Sequence, residues 1–158
     1  MRIKPVAVTE RLLFLDFDGV LHPNHCPEAD YFRRAPLLSR WLAAAGEELG
    51  IVISSSWRHH HAADELLARL PAWLAARVVG FTGPAVIGRH ARHGEITRFL
   101  ADHPGWTSWR ALDDSGWEFP SPCPELILCR GGIGLTATEI ARLHAWLEPS
   151  LERSETTC

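Results

Sequence analysis

The chain has 158 residues, 46% of them hydrophobic, with 16 basic residues against 19 acidic ones and a formal net charge of −3. That length and composition suit one folded domain and exclude wholesale disorder. The acidic balance argues against a broad electrostatic grip on nucleic acid, although a local basic patch is compatible with it.

The first apolar run, Arg11 to Asp16, ends in acid and reads as a buried strand of a parallel sheet. It is too short, and too soon broken by Asp16 and Asp18, to be a signal peptide. Gly19 then turns the chain, and His22 to Ala35 reads as loop. Pro36 to Gly50 is predicted to be a helix, with Leu38, Trp41, Leu42, Ala45 and Leu49 on one stripe. Ile51 to Ile53 forms a second buried strand running into Ser54, Ser55 and Ser56. A helix is expected over Trp57 to Leu70, capped by Ser56 and interrupted by Pro71. Val78 to Phe81 is a third strand, Gly94 to Ala101 a helix, Trp109 to Leu112 a fourth strand ending in Asp113 and Asp114, and Glu125 to Cys129 a fifth. Thr136 and Glu139 form a capping box for a last helix, with Ile140, Leu143, His144 and Leu147 on its inner face.

Strands alternating with helices imply an α/β fold with a mainly parallel sheet. Residues 1–149 read as a single domain and 150–158 as a flexible tail. No stretch is long and apolar enough to span a membrane. Cys26, Cys123, Cys129 and Cys158 form no CxxC pair and read as free thiols of a cytoplasmic protein.

Three polar groups fall at the carboxyl ends of strands: Asp16 with Asp18, the serines from Ser54, and Asp113 with Asp114. Ligands of open parallel sheets bind at that edge. Carboxylates gathered there repel one another unless a cation sits among them, and hard oxygen ligands favour Mg2+. Asp16 and Asp18, two apart in extended backbone, point to the same side. A calcium loop needs further acids where Val20 and Leu21 stand. Ser-His catalysis is disfavoured, since adjacent Ser and His rarely meet in triad geometry and no GxSxG is present. The run His59-His60-His61 is a poor metal site, because consecutive helical side chains diverge.

The stretch LLFLDFDGVLHP resembles the first motif of haloacid-dehalogenase-like (HAD) hydrolases, IVISSSWR their second and ALDDSG their fourth. Arg92 in RHARHGEITRFL stands for the third-motif cation, with Arg89 as the competitor. Together with GEI and the late Gly134-Leu135-Thr136, these motifs resemble most closely the HAD domain of Swiss Army Knife RNA repair proteins, over Arg11 to Pro149. The resemblance implies a Rossmann-like HAD fold: a mainly parallel five-stranded sheet with helices on both faces. The intervals between motifs are too short for a large cap domain.

The resemblance further implies a Mg2+-dependent phosphatase. Asp16 would be the nucleophile that forms an aspartyl-phosphate and Asp18 the general acid and base. Ser54, or Ser55 in the alternative register, would hydrogen-bond the phosphoryl group, and Arg92 would neutralise it. Mg2+ would be held by Asp16, Asp18 through its backbone carbonyl, and Asp113, with Asp114 supporting. Gly19 leaves room for substrate, and His22 is a candidate to line the site. Arg58 either contacts substrate or pairs with Asp64 or Glu65. Trp57 is expected in the core. An uncapped site suits bulky substrates such as RNA or DNA ends, with Arg33, Arg34, Arg58, Arg89 and Arg92 as a basic rim. A non-catalytic binding module and a small-metabolite phosphatase are the alternatives. The sequence leaves monomer or oligomer open.

Overall fold

The structure is a computed structural model that describes residues 11–148. Cys158 and the expected tail lie outside the described residues. Five parallel strands, β1 (Arg11–Leu15), β2 (Leu49–Ile53), β3 (Val78–Phe81), β4 (Ser108–Asp113) and β5 (Leu126–Leu128), form one sheet in the order β3-β2-β1-β4-β5. The helices are α1 (Leu37–Ala45), α2 (Ala63–Arg69), α3 (Ala72–Ala75), α4 (Ala91–Asp102) and α5 (Ala137–Leu147).

Alternation along the strands splits the core in two. Leu13, Leu15, Ile51 and Ile53 face one layer, where they pack with Leu38, Trp41 and Leu42 of α1, Leu66 of α2, Leu74 of α3, and Leu143 and Trp146 of α5. Leu12, Phe14 and Val52 face the other, against Ile96, Phe99 and Leu100 of α4. Helices therefore cover both faces and leave the carboxyl edge open.

Two helix boundaries and one helix face differ from the sequence reading. The helix expected to Gly50 stops at Ala45, because Gly46 takes a left-handed φ of 74°, and Leu49 pairs with Arg11 in the sheet instead. The helix expected from Trp57 is a short 3-10 turn, Ser56–His59, separated from α2. Its cap is Ser55, whose Oγ accepts from the Trp57 backbone N–H at 3.3 Å, not Ser56. In α5 the capping box of Thr136 and Glu139 is present, but His144 is exposed and Trp146 is buried in its place. Trp146 stacks on Trp41 and donates its indole N–H to Ser108 Oγ at 2.7 Å.

No lid stands over the edge among the described residues. Between β1 and β2 the chain makes a loop, one 3-10 turn and α1, which is packed in the core; between β2 and β3 it makes only short helices. Cys26, Cys123 and Cys129 are free thiols. No helix among the described residues is long and apolar enough to cross a membrane.

Candidate active site

Strand register determines which residues meet. Leu15 pairs with Ile53 on one side and Leu112 on the other, so Asp16, Ser54 and Asp113 are each the next residue on three adjacent strands. Neighbouring strands lie about 4.8 Å apart. The chain leaves β1 toward β2 and later returns to β4 on the opposite side, so this is also where the strand order switches direction and a crevice opens.

Oxygens of Asp16, Asp113 and Asp114 lie within 4.8 Å of one another. Asp16 and Asp113 are buried. Burial first, and then the neighbouring Asp113 charge, hold the Asp16 carboxyl well above its ordinary range, with Arg92 opposing. Burial likewise pushes Asp113 up to about 6 against the pull of Arg92 and the Ser115 N–H. Arg92 is thus the counter-charge of the cluster. One of its terminal nitrogens lies 3.1 Å from Asp113 Oδ2 and 3.5 Å from Asp16 Oδ1, and donates to the Ser54 carbonyl. Its Nε lies 3.7 Å from Glu118. Burial works against the charge on Arg92, but the carboxylates of Asp113, Asp16, Glu95 and Glu118 outweigh it and hold the guanidinium above its ordinary value. Arg89 is exposed on the loop before α4.

One guanidinium facing three carboxylates leaves negative charge uncompensated. An all-oxygen donor set with that surplus fits a hard divalent cation. The neighbourhood is built around Asp114. Its Oδ2 accepts from Asn24 Nδ2 at 2.7 Å, and a Cβ on Gly19 would stand 2.3 Å from that same oxygen. A Cβ on Gly131 would come within 2.6 Å of it. Gly19, whose φ is 76°, is therefore required by the position of Asp114, while Gly131 leaves room for the Asn24–Asp114 pair. The late Gly134-Leu135-Thr136 is scaffold: Gly134 allows close approach to the Val20 carbonyl, Leu135 is buried and Thr136 caps α5.

The two serines differ. Ser55 Oγ is spent on its cap. Ser54 Oγ is buried with no hydrogen-bond partner among the described residues. A buried hydroxyl left unpaired costs roughly 1–3 kcal/mol, so this one is suited to a ligand.

Asp18 is set apart from the cluster. Its side chain is 46% exposed. The Phe32 N–H donates to His22 Nδ1 at 3.2 Å, so His22 Nε2 carries the ring proton and donates to Asp18 Oδ1 at 2.8 Å. Trp57 Nε1 donates to Asp18 Oδ2, also at 2.8 Å. Trp57, expected in the core, packs against the core cluster but is only half-buried, with its polar edge on Asp18.

Arg58 neither meets Asp64 or Glu65 nor reaches into the site with a free end. It pairs with buried Glu95 at 2.5 Å and donates to the Ser55 and Gly83 carbonyls, tying the loops after β2 and β3 to α4. Arg58 and Arg92 are engaged inside and so do not stand on the expected basic rim, whereas Arg33 and Arg89 are exposed. Sequence reasoning missed Asn24, Glu95 and Glu118 altogether. The only signal for Glu95 was its place in GEI.

A family model described as the HAD domain in Swiss Army Knife RNA repair proteins matches residues 12–140. No curated protein and no solved structure matches.

Proposed function

The chain belongs to the family of HAD domains in Swiss Army Knife RNA repair proteins, and from that premise we propose that it is a Mg2+-dependent phosphomonoesterase acting in the cytoplasm on terminal phosphates of nucleic acids. The observation that carries the proposal is the buried junction of Asp16, Asp113 and Arg92 with the unpartnered Ser54 hydroxyl beside them.

In this reading an Asp16 oxygen attacks phosphorus and the bond to the leaving oxygen breaks, while Asp18 gives that oxygen a proton. Water then attacks the phosphorus of the aspartyl-phosphate. Asp18 takes the water's proton, and the bond to Asp16 breaks to return the free carboxylate. Ser54 Oγ donates to a phosphoryl oxygen, and Arg92 balances charge that the carboxylates alone cannot. Mg2+, held by Asp16, the Asp18 carbonyl, Asp113 and Asp114, supplies positive charge to the phosphoryl oxygens when bound. His22 and Trp57 hold Asp18 in place.

Two features favour nucleic-acid ends over small metabolites: the family premise, and an edge with no lid to enclose a small substrate. The test is phosphate release from an aryl phosphate and from phosphorylated oligonucleotides, with and without Mg2+. Turnover that needs Mg2+ and vanishes in Asp16→Asn supports the reading. Tight oligonucleotide binding with no release from any substrate points instead to a binding module.

A further inference from the structure

Beside Asp18 the surface opens into a cavity of ≈ 410 Å³, of whose lining residues only Asp18 and Trp57 enter the steps above. Its walls combine two kinds of group. Tyr31 and Trp57 supply ring surface, and His60, His61 and Arg69 supply nitrogen donors, with Glu28 as an acceptor. The rings are held firmly: Tyr31 stacks on His22 at 4.8 Å and meets Trp57 edge-on at 5.2 Å. Arg69 is exposed at the end of α2, with its guanidinium 6.0 Å from the centre of the Trp57 ring. It has no carboxylate partner among the described ion pairs, whereas Arg58 and Arg92 are committed to acids.

Position gives the cavity its meaning. Asp18 is the group that hands a proton to the leaving oxygen, so whatever carries that oxygen must lie on the Asp18 side of the phosphorus. We infer that this cavity is a leaving-group subsite for a nucleotide chain, in which the terminal base packs against Tyr31 and Trp57 and the next phosphodiester meets Arg69. The inference rests on the phosphatase reading above for the direction of the substrate. A nucleotide chain presents a flat π surface and a second anion in one leaving group, which is what an aromatic wall beside a guanidinium with no carboxylate partner among the described ion pairs recognises. A phosphotyrosine side chain offers the ring without the anion, and a sugar phosphate offers neither.

The consequence is that recognition extends over at least two nucleotides. Binding is measured by calorimetry in the full chain carrying Asp16→Asn, with Mg2+, so that it is read whether or not the wild-type protein turns over. The probes are inorganic phosphate, a mononucleotide, and terminally phosphorylated dinucleotides of both polarities. The better-fitting dinucleotide is expected to bind roughly tenfold more tightly than the mononucleotide. Adding Arg69→Gln should remove that gain and lower the slope of log affinity against log salt by about 0.7, the share of one single-strand phosphate. Adding Tyr31→Ala should weaken mononucleotide and dinucleotide together by roughly tenfold relative to inorganic phosphate. Equal affinity for mononucleotide and dinucleotide overturns the inference. So does an Arg69→Gln effect as large on inorganic phosphate, or a phosphotyrosine peptide that binds as well as the dinucleotide. Failure of the phosphatase reading would appear separately, as absence of phosphate release from every substrate by the wild-type chain.

Discussion

The site has two halves of opposite character, divided by the backbone between Asp16 and Asp18. On one side Asp16 and Asp113 are buried beside the partly buried Arg92, and their charges answer one another over a few ångströms. On the other, Asp18 stands half-exposed at the mouth of an aromatic cavity, held by neutral N–H donors from His22 and Trp57. On the proposed reading, the first half would hold a fixed phosphoryl group, where water is excluded and charges act strongly, and the second would meet a variable leaving group and exchange protons where groups can enter and leave.

The contrast predicts a graded set of effects. The largest belongs to the buried half: Asp16→Asn should lower aryl phosphate turnover by on the order of 10³-fold or more. Asp18→Asn should cost roughly 10² to 10⁴, and less for leaving groups that need no proton. Comparing p-nitrophenyl phosphate with an alkyl phosphate reads that difference. An equal loss on both would place Asp18 outside proton transfer.

Arg92→Met leaves the buried carboxylates without their cation. It should destabilise the metal-free protein by about 3–5 kcal/mol in denaturant unfolding, with a large part restored by Mg2+. Ser54→Ala should reduce turnover roughly 10- to 100-fold with little loss of stability, since its Oγ has no hydrogen-bond partner among the described residues. Ser55→Ala should do the reverse, removing a cap worth about 1 kcal/mol while sparing the chemistry. If Ser55→Ala were the inactive one, the register of the two hydroxyls would be the opposite.

The last effect is a pH dependence of the metal-free fold. Asp113 is pushed up to about 6 by burial, against an unfolded value near 3.9. The folded state therefore binds more protons between those values. Its stability in EDTA should rise as pH falls through 6 and be lost as pH rises through it. The thermal midpoint of Asp113→Asn should lack that component, and the stabilisation by Mg2+ should be greater at pH 7.5 than at 5.5.

The sequence made the buried half far more legible than the open one. Asp16 and Asp113 could be placed together because each terminates an apolar strand, and a parallel sheet aligns strand ends. Ser54 and Ser55 could not be separated on those grounds. Their roles depend on a turn whose Trp57 reaches Asp18, 39 residues away in the chain. Asn24 and Asp114 are 90 residues apart, and neither carries a local pattern naming the other. Arg58 and Glu95 became a buried pair because α4 crosses behind the loop after β2, a contact that helical periodicity does not encode. The capping box of α5 was readable because both partners lie within one turn.

The central claim is that Asp16 carries the phosphoryl group in transit, and it can be examined directly in Asp18→Asn. With radiolabelled aryl phosphate and Mg2+, the good leaving group departs without help while the missing base slows hydrolysis of the intermediate. Acid-quenched protein should then hold label on the peptide containing Asp16. That label should be released by hydroxylamine, as an acyl phosphate is, and be absent when Asp16→Asn is added. Rapid phosphate release with no labelled protein at any time, or label on a different residue, would contradict the account.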